Sequence, residues 1–317
     1  MKKTFLFLFF MVGIFCLAYL AFQRIPFETN GKEQMNFELV EKQKKIHNGT
    51  LFDKNIGIYL DNPSEIIQLE EMPQIIAWFE NIKDKPAKTK IKLCQYDYFI
   101  PLITLQPKDV PLTDISSGKY DKELKELFNL LLNNCGSNTV LIRFAHEMEW
   151  NPNYGSAGWY SWQKEGNSEE YKLAWNYVVS LGREILPNIK FIWSPNRADE
   201  YSKSYYPGDN VVDYVGITLN QSGDSSGKYE SFEDFYVQGG KKEILESFNK
   251  PIIIAEAAYA NKDQQAKEEY LKGLFNYFNK DDNIKAIVLF NKGDYNIMSN
   301  KRYLDIFYKE LRYLNEK

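Results

Sequence analysis

Eight short apolar runs, separated by segments with the period of amphipathic helices, constrain this chain more than any other feature. The runs are Ile56 to Leu60, Gln74 to Phe79, Ile100 to Leu105, Thr139 to Phe144, Lys190 to Trp193, Val212 to Leu219, Pro251 to Ala255 and Ile284 to Phe290. A strand with one wet face alternates apolar and polar residues. A strand covered on both faces reads as a near-continuous apolar run, as these do. Between them, Leu124, Leu127, Phe128 and Leu131 share one helical face in the segment Tyr120 to Asn134. Ser168 to Ile185, Asp263 to Asn279 and Ser299 to Leu314 repeat that pattern. Shorter helical segments are expected over Ser64 to Glu71 and over Ala87 to Tyr98, where Ile91-Lys92-Leu93 also reads as strand, with a loop and helix over Phe232 to Phe248. Strands alternating with helices imply a parallel sheet covered by helices. Eight such units in about 260 residues predict a closed (β/α)8 TIM barrel. No glycine-rich phosphate loop follows any run, so no nucleotide or other cofactor is expected.

The first 23 residues stand apart. Lys2 and Lys3 precede an uncharged run from Thr4 to Phe22, and Arg24 follows. About 20 apolar residues suffice to cross a bilayer as a helix. The expectation is an N-terminal transmembrane helix over residues 1–23, a linker over 24–50 and a catalytic barrel over 51–317. Basic residues ahead of the apolar run put the barrel outside a single-pass cell membrane. Cleavage as a signal peptide would make it a secreted protein instead. A net charge of −4 argues against nucleic acid as a partner. Two histidines and three cysteines give no expectation of a metal centre. Cys94 and Cys135 are read as separate buried thiols, and the barrel as a monomer.

Chemistry concentrates in Val140 to Trp162, VLIRFAHEMEWNPNYGSAGWYSW, which holds Trp150, Trp159 and Trp162 of the chain's six tryptophans. In such barrels the active site lies at the C-terminal ends of the strands. Glu147 follows the fourth strand and Glu256 ends the seventh. A carboxylate beside so apolar a strand is costly to bury unless it is paired or functional. The two acids face each other across the mouth, although Glu149 competes with Glu147 for the first role. Aromatic faces stack on pyranose rings, and a carboxyl group can protonate a glycosidic oxygen, so a polysaccharide is the expected partner. A gap of about 5–5.5 Å would suit retention of configuration, and roughly 6.5–9.5 Å inversion. Trp150, Trp159, Trp162, Trp78, Trp193 and Asn196 are candidates to line the cleft, and Trp175 is read as core. Arg143 is expected to orient a catalytic carboxylate through a bidentate pair.

The run Arg143-Phe144-Ala145-His146-Glu147-Met148, followed by a tryptophan-rich loop, resembles the R-x-x-H-E-M segment of glycoside hydrolase family 26. That family contains β-mannanases and some β-1,3-1,4-glucanases and xylanases. Pro101 to Pro107, Ile115 to Asp121, Tyr206 to Asp209 with Val212 to Ile217, and Lys250 to Glu256 resemble further family segments in the right order. The resemblance implies a retaining endo-β-glycosidase in which Glu147 is the acid/base and Glu256 the nucleophile, with His146 beside the acid. The chain departs from the family in three places. Glu149 replaces the usual asparagine, Leu219-Asn220 occupies the place of a tyrosine near the nucleophile, and Phe290-Asn291 replaces a tryptophan platform. These departures leave the polysaccharide open among β-1,4-glucan, mixed-linkage glucan and mannan. They also motivate the alternative of a glycan-binding barrel with little or no activity.

Overall fold

A computed structural model describes residues 53–95, 99–149, 160–163, 168–223, 227–260 and 263–316. The expected membrane segment and linker lie outside the described residues, as do Trp150 and Trp159. Among the described residues, no helix is long and apolar enough to cross a membrane.

All eight expected strands form. They are β1 (Asn55–Tyr59), β2 (Ile75–Asn81), β3 (Ile100–Gln106), β4 (Val140–Phe144), β5 (Ile189–Trp193), β6 (Tyr214–Gln221), β7 (Ile252–Tyr259) and β8 (Ile284–Leu289). Each pairs in parallel with its neighbour in sequence, and β8 closes on β1. The helices are α1 (Lys88–Ile91), α2 (Leu112–Ser116), α3 (Asp121–Cys135), α4 (Ser168–Ile185), α5 (Lys241–Glu246), α6 (Gln264–Lys280) and α7 (Lys301–Asn315). The segment expected as a helix after β1 is a 3-10 turn, Pro63–Gln68, and α1 continues as 3-10 over Lys92–Gln95. The five-residue α2 is too short to show a period, and the sequence reading does not include it.

Alternation along the strands sorts the side chains into two layers. Tyr59, Ile75, Ala77, Ile100, Leu102, Leu141, Ile192, Ile253, Ala255, Ala286 and Val288 fill the barrel interior. Their neighbours point outward to the helices. Phe144 of β4 and Phe191 of β5 meet Trp175 of α4 at ring distances of 6.0 and 6.3 Å. Trp175 is thus core, as expected. The same parity moves two other tryptophans away from the cleft. Trp78 follows inward-facing Ala77, is 1% exposed, and donates its Nε1 hydrogen to Glu80 at 2.8 Å. Trp193 follows inward-facing Ile192 and packs edge-on against Tyr206 and Phe248 at 5.2 and 5.0 Å. Neither lines the mouth.

The helices follow from their apolar stripes and caps. Leu124, Leu127, Phe128 and Leu131 of α3 are buried together. Asp263 caps α6, its side chain accepting from the backbone of Gln265 and Ala266. Cys94 and Cys135, read from sequence as separate thiols, are joined by a disulfide with a Cα–Cα distance of 4.6 Å. The bond ties the turn after α1 to the end of α3, a pairing that 41 residues of separation conceal in the sequence. Closing a loop of that length in the unfolded chain is worth up to about 4 kcal/mol. Cys135→Ser should therefore lower the urea midpoint by an amount equivalent to about 2–4 kcal/mol. A midpoint unchanged from the oxidised wild type would contradict the cross-link.

Candidate active site

The site is built on a buried cation. Arg143 lies at the inward-facing position of β4 two residues beyond Leu141 and is 0% exposed. A guanidinium in that position must be paired on every side. Its Nε donates to Ser194 Oγ at 2.9 Å, just past β5. Its Nη2 donates to Thr218 Oγ1 of β6 at 2.6 Å. Its Nη1 donates to Glu256 Oε1 of β7 in an ion pair. The expected fork on a single carboxylate is thus replaced by contacts to three residues, one just past β5, one in β6 and one in β7.

Glu256 reaches that contact through an irregularity in β7. Ile253 and Ala255 face the interior, so strict alternation would turn Glu256 outward. The strand is bulged: Ile254 pairs with Ile217, but the next pair is Glu256 with Thr218, which leaves Ala255 unpaired. The extra residue resets the parity and aims Glu256 inward. The strand also runs on to Tyr259, so Glu256 lies within it rather than at its end. Asn220, two residues beyond Thr218, donates to Glu256 Oε2 at 2.9 Å. Burial pushes the Glu256 carboxyl above its ordinary range. Arg143 opposes that push, and the charge of Glu147 adds to it.

Glu147 is brought over the mouth by a twisted backbone. Ala145 and Glu147 have φ values of 42° and 53°, in the left-handed region. Such residues cost roughly 1–2 kcal/mol each unless the surroundings fix them. Here the Ala145 amide donates to Leu105 O at 3.0 Å and the Glu147 amide to Ser194 O at 2.8 Å. The Gln163 side chain donates to Glu147 O. Thr218 Oγ1, which accepts from Arg143, donates its own hydrogen to Glu147 Oε1 at 2.6 Å. One hydroxyl therefore links the two acids through the arginine. Donor atoms of His146, Glu147 and Glu256 all lie within 4.8 Å of one another. Among the described residues this trio is the set close enough to share a cation, although Arg143 already occupies one oxygen of Glu256.

His146 is 1% exposed and sits in an aromatic nest. Tyr160, Trp162 and Phe79 lie at ring distances of 5.1, 5.9 and 5.8 Å. Burial, and then the charge of Arg143, hold its imidazole well below the usual range, so it is neutral at neutral pH. Trp162 does not face the mouth. It is 1% exposed, donates to His146 O at 2.8 Å, and lies flat on Tyr160 at 4.3 Å. The half-buried ring of Tyr160 stands on the other side of this stack and comes under the charges of Glu147 and Glu256. Across the mouth, Tyr59 packs on Phe79 and Phe290 at 5.0 Å each, where the family pattern has a tryptophan platform. Asn291 holds the loop beyond, accepting from the amides of Ile297 and Met298 at 2.9 and 3.2 Å. Asn196 is exposed and contributes its backbone amide, which donates to Glu149. Glu149 itself is buried and engaged with that loop, and it does not join Glu256.

Sequence reading names Arg143, His146, Glu147 and Glu256, and the structure gathers all four. It passes over Ser194, Thr218 and Tyr160. Thr218 carried a signal: it is a lone hydroxyl in an apolar strand, two residues from Gly216, whose missing Cβ lets Ile192 of the interior approach.

A model of glycosyl hydrolase family 26 matches residues 121–282, which include Arg143, His146, Glu147, Tyr160, Ser194, Thr218 and Glu256. The chain belongs to that family and is a glycoside hydrolase. Endoglucanase H of Acetivibrio thermocellus is 28% identical over 189 residues, covering 54% of this chain and 20% of that protein. The chain thus spans about a fifth of the length of that relative. Among solved structures, GH26C from a Muricauda species superposes with a TM-score of 0.60 at 16% identity, covering 86% of this chain and 88% of that one. The GH26 β-mannanase BoMan26A of Bacteroides ovatus gives 0.56 at 17% identity, covering 89% and 94%. YdhT of Bacillus subtilis gives 0.56 at 17%, covering 89% and 92%. At these identities the superpositions show a shared fold.

Removing one partner of a buried ion pair leaves the other charge uncompensated, at a cost of about 3–5 kcal/mol. Arg143→Met should lower stability at neutral pH by that order in urea unfolding, with part of the loss recovered on acidification as Glu256 takes up a proton. A variant as stable as wild type at both pH values would contradict this account of the site.

Proposed function

We propose that this family 26 hydrolase is a retaining, endo-acting β-glycanase in which Glu147 is the acid/base and Glu256 the nucleophile. The observation that carries the reading is the approach of the two carboxylates to within 4.8 Å. Retaining enzymes hold their carboxyl groups about 5–5.5 Å apart, and inverting ones leave roughly 6.5–9.5 Å for a water. A non-catalytic barrel has no need of either spacing.

In the first step Glu256 Oε2 attacks the anomeric carbon while Glu147 gives its proton to the glycosidic oxygen, and the C–O bond to the leaving sugar breaks. The product is a glycosyl ester of Glu256. In the second step Glu147, now a carboxylate, takes a proton from water. The water oxygen bonds to the anomeric carbon and Glu256 leaves as carboxylate. Thr218 holds the Glu147 carboxyl in place through its hydroxyl, which donates to Oε1 at 2.6 Å. Neutral His146 holds the acid's flank without adding charge. The aromatic wall of Tyr59, Phe79 and Phe290 offers faces for a sugar ring on the β1, β2 and β8 side.

The relatives' names, an endoglucanase and a β-mannanase, support a glucan or mannan as the substrate, with β-1,4-glucan, mixed-linkage glucan and mannan as the candidates. The apolar run from Thr4 to Phe22 extends the proposal to location: a single-pass membrane tether with the barrel outside the cell. A disulfide between Cys94 and Cys135 suits an oxidising compartment.

Glu256→Ala should lose at least about 10⁴-fold in kcat on the polysaccharide that wild type cleaves, with its thermal transition retained. Glu147→Ala should lose comparably on polysaccharide but far less on aryl glycosides whose phenol leaves without protonation. Unchanged turnover of Glu256→Ala would sink the assignment.

A further inference from the structure

Glu149, where the family pattern has asparagine, is a buried carboxyl that the proposed mechanism does not use. It is 1% exposed. Its Oε1 accepts from the amides of Asn196 and Arg197 at 2.7 and 2.5 Å. Its Oε2 is buried and has no hydrogen-bond partner. The two amides belong to the loop after β5, from which the catalytic groups hang. Ser194 O receives the Glu147 amide at 2.8 Å, and Pro195 O receives the Thr218 amide at 3.3 Å. Ser194 Oγ receives Arg143 Nε at 2.9 Å. From this geometry we infer that Glu149 is a positioning residue for hydrolysis. Through residues 194–197 it sets the backbone of Glu147 and the arginine that holds Glu256. The inference rests on the roles given to those two acids above.

A neutral asparagine at this place could hold an amide equally well, so the carboxyl adds something else. Four elements surround it. Its own segment brings Glu147. The loop after β5 brings the two amides, with Asp199 beyond them on the Arg197 side chain at 2.8 Å. Helix α4 brings the Tyr171 hydroxyl, also buried and without a partner. Helix α5 brings Lys241, whose Nζ donates to Arg197 O at 3.0 Å. Burial pushes the Glu149 carboxyl up to about 7. Below that pH it is neutral, and above it a negative charge appears beside Glu147. That charge forms in a buried site whose Oε2 has no hydrogen-bond partner, on the segment that carries Glu147.

The sign for stability follows from the same shift. The folded-state value lies above the ordinary glutamate value, so the folded protein holds the proton more tightly than the unfolded chain. Stability from this group is full below the ordinary value and is lost as pH rises towards 7.

Two variants test the inference on whichever soluble β-glucan or mannan wild type hydrolyses. Glu149→Gln keeps an acceptor for both amides but cannot ionise. It should hold kcat near pH 5.5 within about threefold, while the change in kcat/KM that accompanies ionisation of Glu149 near pH 7 disappears. Glu149→Leu removes the acceptor and should lower kcat by about tenfold or more, with KM within about threefold. The melting temperature of wild type relative to Glu149→Gln should fall as pH rises from 5 through 7, and this measurement needs no substrate and no Leu variant. A folded Leu variant with wild-type kcat, a Gln profile that superimposes on wild type, or a flat melting difference would each overturn the inference. Those failures leave the roles of Glu147 and Glu256 intact. Wild type inert on the whole panel would overturn the hydrolase mechanism first, and this inference with it.

Discussion

The upper layer of this barrel is arranged around the charge of Arg143. A guanidinium with no exposed surface has to be satisfied by the protein, and its three nitrogens find partners just past β5, in β6 and in β7. The interior below it is apolar. One residue therefore marks the level at which the barrel changes from a packed core to a reactive mouth. It also fixes the separation of the strands that carry the chemistry. Ser194, Thr218 and Glu256 cannot drift apart without stranding a buried cation.

Two local distortions complete what the arginine begins. The bulge at Ala255 turns Glu256 inward, and the left-handed backbone at Ala145 and Glu147 folds the chain after β4 back over the mouth. Neither is favourable by itself. The left-handed turn is held by hydrogen bonds to Leu105, Ser194 and Thr218, and Glu256 at the bulge by Arg143 and Asn220. Strain of this kind persists where the surroundings over-determine a conformation, and here the result is a pair of carboxylates at close range with a positive group beside one of them.

How far the sequence shows this depends on the length scale. The barrel is legible because eight buried strands each leave an apolar run, and four long helices each leave a stripe. The catalytic candidates are legible because Glu147 and Glu256 are carboxylates next to such runs. Errors arise where parity decides. Trp78 and Trp193 lie near strand ends, and only the inward placement of Ala77 and Ile192 reveals that both rings face the helices. Strict alternation would likewise have turned Glu256 away, because a single unpaired residue leaves no mark in composition. Trp162, a candidate to line the cleft, instead supports His146 from beneath and offers no face to a sugar. Tyr160, lying flat upon it, is a ring that comes under the charges of Glu147 and Glu256. The Cys94–Cys135 bond and the role of Ser194 depend on contacts distant in sequence, for which no local pattern exists.

The central claim is that two opposed carboxylates act in succession, one as a covalent partner. It makes a stereochemical statement that does not depend on any variant. Proton NMR of the anomeric region during the first minutes of hydrolysis of a β-linked oligosaccharide reads the configuration of the new reducing end before it mutarotates. The β-anomer should appear first and the α-anomer only as mutarotation proceeds. Initial formation of the α-anomer would show a single displacement by water and contradict the mechanism.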